Sequence, residues 1–142
     1  KALDFTDGGS SAHLQSKEVL VEKALQAASA ELDAHCEILF SQERPLEAFI
    51  DSYLSEWHLI SPAEGCPLPT MSSELGLRGQ HSATTDAVLG ARLQQIETAL
   101  GDGQRDAQSL VMMSTLVGAL VLARSVEDEP GDAVGVDGEP KG

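Results

Sequence analysis

Leu110 to Leu122 constrains the fold more than any other stretch, because it offers apolar side chains on every face of a helix. The run reads Leu110, Val111, Met112, Met113, then Leu116, Val117, Ala119, Leu120, Val121 and Leu122, interrupted only by Ser114, Thr115 and Gly118. A helix that is apolar all round has to be covered all round. The run is shorter than the roughly 18 to 20 residues of a membrane span, and Arg105, Asp106 and Arg124 flank it, so it reads as a buried helix with no membrane. A chain of 142 residues has few other helices to wrap it. One side is therefore expected to meet its own domain and the other a second copy, with Ser114 and Gly118 on a face that allows a close helix crossing.

Apolar residues make up 42% of the chain but aromatics only 4%, and Ala and Leu carry most of the apolar mass, which favours helices over sheets. Nine basic against 23 acidic residues give a net charge of −14, and this opposes binding to phosphate backbones by the chain alone. The segment from Glu127 to Gly142 holds six acids and one lysine, is rich in Gly and Pro and lacks periodicity, so residues 127–142 are expected to form a disordered acidic tail. Two cysteines, Cys36 and Cys66, are too few for a disulfide framework and fit buried thiols in a reduced, cytoplasmic setting. The start has no apolar leader core and no initiator Met, which suggests that upstream sequence is missing.

Along the chain, Lys1 to Gln15 is polar and reads as a turn or frayed helix. Ser16 is a good N-cap for a helix to about Phe40, with Leu20, Ala24, Ala27, Ala28, Leu32, Cys36 and Leu39 on one face. At the α-helical rise that helix is about 37 Å long, enough to connect two bodies. Pro45 opens a second helix in which Leu46, Phe49, Ile50, Tyr53, Leu54, Trp57 and Ile60 form one stripe. A shorter helix after Cys66-Pro67 turns Met71, Leu75 and Leu77 inward, and Gly79 ends it. From Ser82 to Leu100 a further helix places Leu89, Leu93, Ile96 and Leu100 on one stripe, and the link Gly101-Asp102-Gly103 folds it back against the apolar helix. Two such pairs related by a two-fold axis would form a four-helix bundle.

Two strings, in this helix order, resemble the TetR family of transcriptional repressors. Thr6-Asp7-Gly8-Gly9-Ser10-Ser11-Ala12-His13-Leu14-Gln15-Ser16-Lys17-Glu18 is similar to the end of that family's helix-turn-helix, with Ser10-Ser11 standing where the family has an aromatic pair. Gly65-Cys66-Pro67-Leu68 and Val117-Gly118-Ala119-Leu120-Val121-Leu122-Ala123-Arg124-Ser125-Val126 are similar to stretches of the regulatory domain in one branch. The resemblance covers residues 6 to about 128. It implies an all-α, TetR-like regulatory domain of about five helices whose last two make a four-helix-bundle interface in a homodimer. Residues 1–15 would be the remnant of the DNA-binding domain and 16–126 the effector-binding and dimerisation domain.

The resemblance also implies roles. Thr6, Gly8, His13 and Lys17 correspond to positions near operator DNA, bound by a full-length protein but not expected for this chain, which lacks the first helices of the motif. In such repressors a small effector shifts the connecting helix and respaces the two recognition helices, so DNA is released. Here the effector would be a small apolar or aromatic molecule, and the walls Cys36, Phe49, Tyr53, Trp57, Met71, Met112 and Met113. Leu89, Leu93, Ile96, Ser114, Gly118 and Val121 would face the partner copy.

An aromatic or Met stripe at helical spacing is also what a plain core looks like, so a structural dimerisation module without ligand is the alternative. His35 and His58 could each tip a pocket with a polar group, but read first as exposed or hydrogen-bonded histidines. No cofactor or metal set is apparent, since His35, Cys36 and Cys66 lack close-spaced companions. Nor is an enzyme expected: no phosphate loop, nucleophile elbow or metal-helix motif occurs, and the carboxylates fall on polar faces and in the tail.

Overall fold

The computed structural model describes residues 8–101 and 105–127. Among these the chain is all-α, with no strand, in the order α1 (Gly8–Phe40), α2 (Pro45–Tyr53), α3 (Glu56–Ile60), α4 (Leu68–Arg78), α5 (Ala83–Leu100) and α6 (Arg105–Ser125). Thr6, the middle of the α5–α6 link and nearly all of the acidic tail lie outside the described residues.

Local chemistry accounts for most boundaries. Pro45 stands in the first turn of α2, where its missing N–H costs nothing. Gly79 closes α4 at φ 61°, with its own N–H on the Gly76 carbonyl and the Gln80 N–H on Leu75, the paired bonds of a Schellman end. Ser82 caps α5 by accepting the Thr85 N–H. Glu22 of α1 reaches the Ser82 and Thr84 hydroxyls and so fastens α1 to the start of α5.

Two boundaries differ from the sequence reading. Ser16 is not an N-cap, because α1 runs unbroken for 33 residues from Gly8 to Phe40, about 50 Å at the helical rise. No proline interrupts that span, and of the turn or frayed helix expected up to Gln15, residues 8–15 belong to this continuous helix. The expected second helix, by contrast, divides after Tyr53. His58 Nδ1–H takes the Tyr53 carbonyl, 2.7 Å, which in a continuous helix would accept from Trp57, and Ser55 caps the new start by accepting the His58 N–H.

The core lies where α5 and α6 run antiparallel, closed by the second half of α1, by α2 and by α4. Cys36, Phe49, Tyr53, Cys66, Leu68, Val88, Ile96, Met113, Leu116 and Leu120 are its buried apolar members. The apolar face of α1 turns inward from Leu25 onward, through Ala28, Leu32, Cys36 and Leu39, while Leu20, Ala24 and Ala27 of the expected face are exposed. In α4 Met71 and Leu75 are half-buried, but Leu77 is 91% exposed. The tightest line of α5 is Thr84, Val88, Arg92 and Ile96, one residue out of phase with the Leu89 and Leu93 stripe.

Helix α6 is covered on one side only. Ser109, Met113, Leu116 and Leu120 are buried at steps of four, three and four, and Ser109 donates to Glu97 of α5 at 3.0 Å. On the far side Val111 is 65% and Leu122 67% exposed. Counted from Ala107 to Ser125 the helix is long and apolar enough to cross a membrane, a property that core helices share.

Replacing Ile96 by Ala should lower the unfolding free energy by about 2–5 kcal/mol, whereas Leu77→Ala should change it by less than about 0.5 kcal/mol. Urea denaturation of both variants checks the assignment; equal losses at the two sites would mean that the core is elsewhere.

Candidate ligand cavity

A cavity of about 710 Å³ opens between α1, α2, α3 and the loop 61–67, within the size range of small-molecule sites. Cys36, Phe49, Tyr53 and Trp57, four of the seven residues expected from sequence, line it. Leu32 and Leu39 of α1 complete the apolar wall, and Glu31, His35 and Glu64 stand toward solvent. The other three expected residues are elsewhere. Met113 is buried in the core, Met71 is half-buried in α4, and Met112 lines a second, almost wholly apolar groove of about 560 Å³ between the end of α2 and the outer side of α6.

The aromatic side chains are fixed by one another. Phe49 packs on Tyr53 at 5.6 Å between ring centroids, and Tyr53 meets the edge of His58 at 4.8 Å. His58 is 4% exposed and uses both ring nitrogens. Nδ1–H donates to the Tyr53 carbonyl, so Nε2 is the acceptor, and it receives the Cys66 N–H at 3.0 Å. Gly65 lies flush against the ring, since a Cβ there would fall 2.1 Å from Cδ2. From α6, Arg124 donates to the His58 and Leu59 carbonyls. His35 shares a hydrogen bond of 3.0 Å with Ser52, tying α1 to α2 at the cavity rim.

Burial sets the charge state of the wall. It pushes the Cys36 and Cys66 thiols up, with the Arg92 guanidinium pulling Cys36 partly back and the Tyr53 hydroxyl doing so for Cys66. Both thiols are therefore protonated at neutral pH, the form that neither attacks nor binds metal. Burial pushes the Tyr53 phenol up and, with the Arg124 charge, holds the His58 imidazole below its ordinary range. The Tyr53 hydroxyl has the Cys66 thiol beside it and no hydrogen bond of good geometry. Among the described residues no group of three or more His, Cys, Asp or Glu side chains converges as metal ligands would.

One feature of this region escaped the sequence reading. Arg92 is fully buried and bridges α5 to Asp33 of α1 beside Cys36; its spacing of four from Val88 and Ile96 was the available signal. His58 is hydrogen-bonded, one of the states expected of it, and the fold buries it in the cavity wall between two partners that its own neighbours in sequence do not announce.

The remaining expected residues fall into separate groups. His13 and Lys17 are exposed on the first half of α1, Gly8 begins that helix, and Thr6 is outside the described residues. Ser114 is exposed, Gly118 and Val121 are half-buried, and all three belong to α6. Leu89 and Leu93 pack half-buried against the core. Ile96 is completely buried within its own chain and has no surface left for a partner. No protein-family model matches the chain, and no curated protein or solved structure matches it either.

Because the His58 ring occupies the space that a Cβ at 65 needs, Gly65→Ala should break the bond to Cys66 and cost about 1–3 kcal/mol. Gly76→Ala, in α4 with open space around it, should instead be neutral or stabilising by up to about 1 kcal/mol. Thermal or urea denaturation compares the two, and a harmless Gly65→Ala would remove the ring from its assigned place.

Proposed function

We propose that this chain is the effector-binding and dimerisation core of a ligand-responsive repressor of the TetR type, acting as a cytoplasmic homodimer. The observation that carries the reading is the cavity of about 710 Å³ beside α1, walled by Cys36, Phe49, Tyr53 and Trp57. Its aromatic and aliphatic lining suits a small apolar or aromatic effector. A ligand there touches α1 directly, through Leu32, Cys36 and Leu39, and α1 carries His13 and Lys17 at its far end. Release of operator DNA by the full-length protein would follow from a shift of that helix.

The homodimer rests on α6. Its outer face presents Leu110, Val111, Ser114, Gly118 and Leu122, with no charged side chain between Ala107 and Ala123. In a chain of net charge −14, a long uncharged face is where two copies can approach without repulsion. Small residues at 114 and 118 allow the two helices to cross closely.

Native mass spectrometry of the purified chain tests both halves. A dimer carrying an additional mass of a few hundred daltons, roughly the size such a cavity holds, is the expected result. A dimer that binds no apolar dye or small molecule would favour a structural module, and a monomer would remove the dimer. Gly118→Leu sharpens the second half, because nothing within 4 Å in the protomer opposes a side chain there. That variant should fold normally and run as a monomer in size-exclusion chromatography; a dimer of unchanged strength would move the interface elsewhere.

A further inference from the structure

One group in the cavity wall makes two hydrogen bonds that cannot both survive protonation. The Nδ1–H of His58 is committed to the Tyr53 carbonyl at 2.7 Å, and its Nε2 lone pair to the Cys66 N–H at 3.0 Å. A proton added at Nε2 would set an N–H against an N–H inside a site that is 4% exposed. Turning the ring gives no escape. It would abandon the Tyr53 carbonyl, and Gly65 lies close against the Cδ2 and Nε2 atoms of the ring. No other group offers the charged ring relief. Tyr53 from α2 presents its ring, perpendicular to that of His58, and a protonated hydroxyl, and Cys66 from the loop is a neutral thiol. Arg124 from α6 adds a like charge, while Glu64 of the loop and Glu31 of α1, on the same cavity, are exposed.

We propose that His58 is a proton-controlled latch on this cavity. Neutral, it holds the loop 61–67 against the end of α2; protonated, it releases the Cys66 amide, opens the wall and weakens ligand binding. The proposal rests on the cavity being the effector site, and it adds the condition under which that site is formed. The sign follows from linkage. The folded protein holds the His58 proton less tightly than the unfolded chain does, because burial and Arg124 disfavour the charge. Stability is therefore full above about pH 6.5, the ordinary imidazole value, and declines as pH falls below it, while binding falls at lower pH, through the His58 midpoint in the folded protein.

The test follows three readouts on the full chain as pH is lowered: the His58 ring nitrogens by NMR, the hydrogen-exchange protection of the Cys66 amide, and affinity for the uncharged fluorophore N-phenyl-1-naphthylamine. Cys66 protection should fall roughly tenfold for each pH unit between about pH 6.5 and the His58 midpoint, and dye affinity should fall through that midpoint. His58→Gln, whose amide can donate to Tyr53 and accept from Cys66 at every pH, should hold both flat. A ring that stays neutral until the whole protein unfolds overturns the latch. So does Cys66 protection that ignores the ring titration, a test that needs no variant. Protection that follows the ring while the dye never binds leaves the latch standing and removes the effector reading instead.

Discussion

The neutral imidazole of His58 ties four pieces of the chain to one point. Its two nitrogens take the carbonyl that ends α2 and the amide that begins the approach to α4, and its own backbone carbonyl accepts Arg124 from α6. The neutral imidazole makes the first two bonds together because its donor and its acceptor lie on separate edges of one rigid ring. Gly65 is then required, because any Cβ would occupy the ring's place. The break between α2 and α3 has the same origin, since the Tyr53 carbonyl is drawn out of the helical ladder. That break turns the α2–α3 corner and its rings toward α1 and leaves the cavity between them.

The elements that local chemistry specifies were legible in the sequence, and those set by distant contacts were not. Pro45, Gly79 and Ser82 act on backbone groups within a few residues, and each marks its boundary where expected. The division at Tyr53 depends on a ring whose second partner is eight residues further on, so the stripe from Leu46 to Ile60 read as one helix. In α5 a period of 3.6 fits two neighbouring stripes nearly equally well. Hydrophobicity chose Leu89 and Leu93, while the fold chose Val88 and Arg92, because Arg92 finds Asp33 across the core. For the cavity, residues on α1 and the aromatic stripe were within reach of pattern reading. The methionines were not, because unbranched side chains on helices carry no mark of which side they fill.

The one-sided cover of α6 follows from how little other helix surface the described residues offer. Among them five other helices, one of them 5 residues long, supply enough surface for the face holding Met113, Leu116 and Leu120 but not for the opposite face. The flanking cation does not make that outer face polar. Arg124 turns back to the carbonyls of His58 and Leu59, so its charge is spent on the α3 corner and not displayed beside Leu122. The uncharged surface consequently extends to the end of the helix.

Arg124 also joins the two sites that the function invokes. The carbonyls that it holds belong to the cavity-wall residue His58 and its neighbour, and the helix that carries it presents the proposed dimer face. Any change that moves α3 must therefore either drag the end of α6 or give up hydrogen bonds to a charged group, which are among the stronger ones a protein makes. Buried in the same corner, one nitrogen of Arg124 already lacks a partner, so losing either bond would leave a further buried donor unsatisfied. In the proposed sensor a ligand at Trp57 and Tyr53 would therefore have two routes through the molecule, one directly along α1 from Leu32, Cys36 and Leu39 and one through the α3 corner into α6. The second passes through the residue whose ring holds the loop 61–67, so the charge state of that ring bears on the joint as well as on the cavity wall.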